Sequence, residues 1–108
     1  MRKFIAVTIS FIAIWVIISY GFAASHEHVH EIIFDSYGYE SNTSVWFNWI
    51  NFEFDGICIA EHKRSDWDKM ASDHNLNDIV GYHLRWAIKA IILSAYLLTL
   101  ASMRRNNK

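Results

Sequence analysis

Two histidines and a glutamate are spaced in a way that suits metal chemistry. Residues 26–30 read HEHVH, with His26 and His30 four residues apart and Glu27 beside the first of them. On an α-helix, residues four apart lie one above the other, so both imidazoles can converge on one ion. The carboxylate of Glu27 can then take a proton from a water molecule held at that ion. The pattern predicts a metal ion, zinc first of all, bound by His26 and His30 with Glu27 as general base.

A third ligand is predicted from a later stretch of sequence, HNLNDIVGYH. In it His74, Asp78 and Tyr82 follow one another at intervals of four and share one helix face. If this helix runs antiparallel to the first, His30 comes level with about Asp78, and His26 with about Tyr82. We expect Asp78 to be the third ligand, or His74 in its place, and the other to orient a ligating histidine. Tyr82 could donate a hydrogen bond to an oxyanion. The alternative is that these polar residues only line the wet end of a membrane helix.

Long helices must position these residues, and the sequence contains two apolar segments of suitable length. Residues 4–24 carry no charge, and residues 84–103 are mainly apolar, with Arg85 and Lys89 as their only charged residues. A helix of about 20 apolar residues crosses the ~30 Å hydrocarbon core of a bilayer. We therefore predict two antiparallel transmembrane helices. Long cationic side chains near a helix end can reach the lipid headgroups, although Lys89 lies deep in the second segment for this. For the first segment, a cleaved signal peptide ending near Gly21-Phe22-Ala23 is the alternative to an uncleaved anchor.

The charges around the two segments predict their orientation. Basic residues flank the end of each apolar segment that lies farther from the loop. Arg2 and Lys3 precede the first segment, and Arg104, Arg105 and Lys108 follow the second. Cytoplasmic flanks of membrane helices are enriched in Lys and Arg. We therefore predict a multi-pass membrane protein with both termini in the cytoplasm and residues 25–83 as an extracytoplasmic loop.

This loop has its own structural signals. The first helix can continue to about Phe34 and end near Gly38, because glycine tolerates the left-handed cap conformation. Residues 45–59 predict a β-hairpin with Asp55-Gly56 as its two-residue turn. The predicted fold is a mainly α membrane protein, with two antiparallel transmembrane helices and an extracytoplasmic loop containing a β-hairpin. Residues 1–108 are expected to form a single unit.

Composition excludes several classes of protein. The chain has 108 residues, of which 53% are hydrophobic and 19% charged, with a net charge of -1. This length allows one domain, and the lack of a basic excess argues against nucleic acid as a partner. The single cysteine, Cys58, excludes an internal disulfide and a cysteine-rich zinc site. His62 is expected to stand apart in a charged turn. The other histidines fall within a few helical turns of the predicted outer membrane surface: His26, His28, His30, His74 and His83.

The two candidate segments resemble a known family of enzymes. His26, Glu27 and His30 match the HExxH pattern, which resembles the active-site helix of zincin metallopeptidases. Asn77-Asp78 resembles the gluzincin arrangement, in which an Asn-Glu pair on a second helix supplies the third ligand. Asp78 is one methylene shorter than that family's glutamate. The resemblance implies zinc-dependent peptide hydrolysis, with Glu27 as general base and the two histidines and Asp78 holding the metal.

These patterns predict a membrane-anchored metal-binding protein with its site just above the outer membrane surface. The zincin resemblance extends this prediction to a minimal zinc-dependent peptidase. Its partners would then be the lipid bilayer and a peptide substrate. The alternative is a non-enzymatic small membrane protein, either an accessory subunit or an envelope factor of a phage or accessory element. In that case the hairpin and the Arg85/Lys89 face would contact a membrane-protein partner. A third hypothesis is metal or pH sensing by the histidines, which titrate near neutrality.

Overall fold

The computed structural model describes residues 1–106 as two long helices joined by a β-hairpin. In chain order the elements are α1 (Arg2–Ser36), β1 (Asn42–Asn48), β2 (Glu53–Ile59) and α2 (Arg64–Asn106). The helices are antiparallel, because Thr8 contacts Tyr96 while His30 contacts His74. The described part of the chain measures 66 × 21 × 21 Å, close to the length of α2 alone. The prediction of a mainly helical chain with a hairpin between two long helices is confirmed.

Helix α1 is one uninterrupted helix of 35 residues that contains both the first apolar segment and the HEHVH sequence. It ends at Ser36, after which Gly38 adopts a φ of 82° and its N–H donates to the carbonyl oxygen of Asp35. Glycine closes the turn without strain because it has no Cβ to clash in the left-handed region. The predicted continuation of this helix beyond its apolar segment is therefore confirmed, as is its end near Gly38.

Helix α2 is equally continuous, with 43 residues that run through Gly81 without a break. The most apolar stretches of α1 and α2 have mean hydropathies of 2.2 and 1.6, and none of either stretch is buried inside the fold. By length and composition, both helices are able to cross a membrane.

The hairpin turns at residues 49–52, so the prediction of a turn at Asp55-Gly56 is wrong. Both residues lie inside β2, where Gly56 pairs with Val45. Tertiary contacts override the local turn signal, because the carboxylate of Asp55 binds Arg85 on α2 at 3.1 Å. Gly56 does not form a turn. Because it has no side chain, β2 can pack closely on α1 at this residue.

Side chains close the actual turn. The N–H of Ile50 donates to Oδ1 of Asn48 at 3.0 Å, and Nδ2 of Asn48 donates to Asp55 at 2.8 Å. Phe52 completes the turn with a φ of 53°, in the left-handed region. A side chain that bonds the backbone two residues on is a common way for asparagine to stabilise a turn.

Carboxylates of the hairpin bind both cations of the second apolar segment. Lys89 Nζ lies 2.8 Å from Oε2 of Glu53, a residue that is only 3% exposed. Arg85 donates to the carbonyl oxygen of Phe54 at 2.8 Å and to Asp55 at 3.1 Å. These contacts fasten β2 to α2. The hairpin thus supplies protein partners for the two cations for which the sequence suggested lipid headgroups.

The interior between the elements is small and half polar. Within residues 1–106 the buried side chains comprise three apolar and three polar ones: Ala23, Phe34, Met70, Glu27, Glu53 and His74. Most come from inward-facing positions three or four residues apart on the two helices, as in any pair of packed helices. Buried polar groups are costly unless they are paired, so their concentration here marks a site rather than an ordinary core.

Candidate metal centre

The side chains of His26, His30 and Asp78 converge between α1 and α2. Asp78 Oδ1 lies 2.9 Å from Nε2 of His30 and 3.2 Å from Nε2 of His26. One donor atom from each residue lies within 4.8 Å of the other two. Tetrahedral ligands at about 2.0–2.1 Å from zinc lie about 3.4 Å apart, so the cluster has nearly the size that zinc requires. The structure thus brings together three predicted ligands, and Asp78 reaches the histidines despite its short side chain.

His74 lies behind His30 and not beside the three donors. The Nδ1 atoms of the two rings are 2.7 Å apart, and the rings stack with their centroids 4.9 Å apart. His74 is 4% exposed, and burial lowers the pKa of its imidazole. The nearby His30 lowers this pKa further, with a smaller effect. A neutral His74 can accept a hydrogen bond from Nδ1–H of His30, which leaves Nε2 of His30 free for a metal ion. This geometry fits the orienting role better than that of third ligand.

Glu27 is buried next to the ligands, at 7% exposure. Burial raises the pKa of its carboxyl group, an effect that the neighbouring His26 and His30 partly oppose. Strand β2 covers the side chain: a Cβ at Gly56 would lie only 2.6 Å from Cγ of Glu27. The strand can come this close only because Gly56 has no side chain. Glu27 is therefore a buried carboxylate held against the candidate metal centre.

A cavity of about 670 Å³ opens over this centre between the helices and β2. Glu27 and the three candidate ligands line it, together with Tyr82, Arg85 and Cys58. Tyr82 is 62% exposed, and its ring packs against His83 and Trp86. Its role as hydrogen-bond donor to an oxyanion stays a prediction. The guanidinium of Arg85 lies in the same wall, paired with the carboxylate of Asp55.

The positions of the other three histidines relative to the cavity differ from what their sequence positions predict. His62 was expected to stand apart but lines the cavity, because the segment between β2 and α2 folds back over the end of α1. Its ring centroid lies 5.0 Å from that of Trp67 and 5.9 Å from that of Phe34. His28 and His83 do not line the cavity, although their positions in the sequence are close to the ligands.

Sequence reasoning missed two glycines that shape the site. Gly81 lies directly against the imidazole of His26, since a Cβ there would be 2.5 Å from Nδ1. Gly56 provides the corresponding space for Glu27. The signal was present, because an isolated glycine within a helical or strand pattern indicates close packing. Asn77 was assigned only through the family resemblance, and its Nδ2 donates to the carbonyl oxygen of His26 at 3.2 Å.

The substitution Gly81→Ala is expected to weaken zinc binding without lowering the stability of the chain. Alanine is more favourable than glycine inside a helix by about 1 kcal/mol, but its methyl group would displace the ring of His26. We expect zinc affinity to fall about ten- to a hundredfold, the range for loss of a supporting contact. Isothermal titration and thermal unfolding in detergent measure the two quantities.

Gly21→Ala is the matched control, because a Cβ at Gly21 would have nothing within 4 Å. It should stabilise α1 in the same way and leave zinc affinity unchanged. Unchanged zinc affinity in Gly81→Ala would mean that His26 is not a ligand in the position described.

Comparison of the chain with protein-family models, curated proteins and solved structures finds no match.

Proposed function

We propose that this chain is a membrane-anchored zinc protein whose metal is held by His26, His30 and Asp78. The observation that carries the proposal is the convergence of two imidazole nitrogens and a carboxylate oxygen from helices remote in sequence. Two histidines and a carboxylate form a typical ligand set for catalytic zinc, with a fourth position left for water or substrate. His74 behind His30 supplies the supporting contact that metal-binding histidines usually have.

The reaction we propose is peptide hydrolysis. Zinc in this site would polarise the carbonyl group and lower the pKa of water. Glu27 lines the same cavity and would accept a proton from the attacking water, then pass it to the leaving amine as the C–N bond breaks. Tyr82 would donate a hydrogen bond to the carbonyl oxygen as it gains negative charge. The burial of Glu27 supports this role, because burial brings the pKa of a carboxyl group closer to neutrality.

The proposed setting is a membrane, with α1 and α2 each crossing it once. Residues 4–24 and 84–103 are the spans, and both termini lie in the cytoplasm. The basic residues at the distal ends of both helices support this orientation. His26 comes two residues after the end of the first span, so the metal centre would lie at the outer membrane surface.

A non-enzymatic accessory protein is the second candidate. Its support from the structure is reduced, because the Arg85/Lys89 face that was expected to bind a partner is occupied by Glu53 and Asp55. Such a protein could still use the same ligands to hold zinc for structural reasons. Catalysis therefore has to be tested separately from metal binding.

The proposal predicts one zinc ion per chain in the purified protein and its loss when a ligand is removed. His26→Ala, His30→Ala and Asp78→Ala should each reduce bound zinc severely, because two remaining ligands do not hold the ion. Elemental analysis of detergent-purified protein after dialysis against zinc measures the stoichiometry.

His28→Ala is the matched control, since His28 lies on the same helix between the two ligands but outside the cavity. It should retain the full zinc content. Equal zinc content in the control and the three ligand variants would overturn the proposed site.

A further inference from the structure

The hairpin tip, residues 49–52, exposes large apolar side chains. Trp49 is 78% exposed, Ile50 94% and Phe52 42%. No charged residue occurs from position 41 to position 52, although Glu40 and Glu53 stand immediately on either side. An exposed apolar cluster of this kind marks an interaction surface.

Contacts with α1 show how far along the apolar segment the hairpin tip lies. Nε1 of Trp15 donates to the carbonyl oxygen of Phe52 at 2.8 Å, and the N–H of Phe54 donates to Oγ of Ser19 at 3.2 Å. At about 1.5 Å per residue, Trp15 lies about 13 Å and Ser19 about 7 Å from the outer end of the segment at residue 24. The hairpin therefore runs back alongside the apolar part of α1.

A contact with α2 independently indicates the same depth for the hairpin tip. Lys89 lies five residues inside the apolar segment 84–103, about 7 Å from its outer end, and binds Glu53 at the base of the hairpin tip. Both helices thus put the hairpin tip below the level at which the apolar segments begin.

Several polar groups near the hairpin tip have partners within the protein. In hydrocarbon, backbone N–H and C=O groups must be satisfied within the protein. The N–H of Ile50 donates to Asn48, and the carbonyl oxygen of Phe52 accepts from Trp15. The N–H of Phe54 donates to Ser19, and its carbonyl oxygen accepts from Arg85. The carboxylate of Glu53 is neutralised by Lys89 at 2.8 Å.

We propose that the hairpin tip is inserted into the outer leaflet of the bilayer, with lipid acyl chains as its partner. This inference rests on the proposed membrane topology and not on the metal centre. It adds a third membrane contact to the two spans and places the strand that covers Glu27 on an element anchored in lipid. Trp49 and Phe52 would then contact acyl chains below the level of the headgroups.

Site-directed spin labelling in phosphatidylcholine–phosphatidylglycerol vesicles tests the proposal. In a Cys58→Ser background, a nitroxide is attached at Ile50→Cys, at Leu98→Cys within the second span, and at Glu61→Cys beyond the other end of the hairpin. Accessibility to oxygen and to a water-soluble nickel complex reports the depth of each label. We expect Ile50 to resemble Leu98, with loss of access to the nickel complex, while Glu61 stays accessible.

Each other result overturns the proposal in a distinguishable way. Nickel access at Ile50 with none at Leu98 would mean that the spans are correct but the hairpin tip faces water or a protein partner. Nickel access at Leu98 would remove the spans and the inserted hairpin together. Quenching by brominated lipids provides a second measurement without labels. Trp15 and Trp86 lie in the proposed spans and are quenched in any case, so the test is that Trp49→Phe lowers the amount of fluorescence that these lipids quench. Unquenched Trp49 fluorescence in vesicles would also contradict insertion.

Discussion

Glu27→Gln is expected to abolish peptide hydrolysis while leaving zinc bound. Glutamine has the shape of glutamate but cannot accept the proton of the attacking water, and a positioned general base contributes about 10²- to 10⁴-fold to the rate. The three ligands are unchanged, so zinc content should match that of the original chain. Hydrolysis of a fluorogenic peptide library by protein in vesicles, together with zinc analysis, measures both quantities.

Glu31→Gln is the matched control for this experiment. Glu31 is one helical turn after Glu27, accepts a hydrogen bond from Thr43 and does not line the cavity. Glutamine can keep that hydrogen bond, so both hydrolysis and zinc binding should be unaffected. Hydrolysis that persists at an equal rate in Glu27→Gln would remove the catalytic proposal and leave a metal-binding module.

Glu53→Gln is expected to lower the free energy of unfolding by about 3 kcal/mol, the lower end of the range for breaking a buried ion pair. The side chain of Glu53 is 4% exposed and that of Lys89 22%, so the ammonium group has little access to water once its partner is neutral. Loss of the Glu53–Lys89 ion pair should also loosen the contact between β2 and α2, because Glu53 and Asp55 together hold the hairpin on α2. Reversible denaturation in detergent micelles, followed by near-ultraviolet circular dichroism, measures the change.

A double substitution separates the ion pair from the shape of the side chains. In Glu53→Leu/Lys89→Met both charges are removed and apolar volume replaces them, so stability should return most of the way. Glu61→Gln, at an exposed carboxylate, should change stability by no more than about 0.5 kcal/mol. A Glu53→Gln variant as stable as Glu61→Gln would show that the pair contributes nothing to holding the hairpin.

The helices and the convergence of the ligands were predictable because both follow from helical periodicity and rise. His26 and His30 share a face at a spacing of four, and antiparallel helices of equal rise put Asp78 opposite them. The prediction needed only that the two apolar segments be neighbours. Long periodic segments without prolines leave few alternatives to such a helix pair.

The hairpin was less predictable because tertiary contacts determine its register. Asp55-Gly56 has the local chemistry of a turn, but Arg85 binds the aspartate and Glu27 packs against the glycine. Neither contact is visible before the helices are placed. The same holds for His62, whose position depends on how the segment between β2 and α2 folds back over Phe34.

Helix α1 carries its apolar segment and the HEHVH sequence without a break, so no hinge separates the anchor from the ligands. In the proposed topology the metal centre therefore has a fixed height, with His26 about 3 Å and His30 about 9 Å along the helix from the bilayer end of the span. The height of the site above the bilayer would then select the peptide bonds that it cleaves. Peptide bonds close to the lipid surface would be reached, whatever side chains flank them. Selection of substrates by distance from the membrane would then need no elaborate binding cleft.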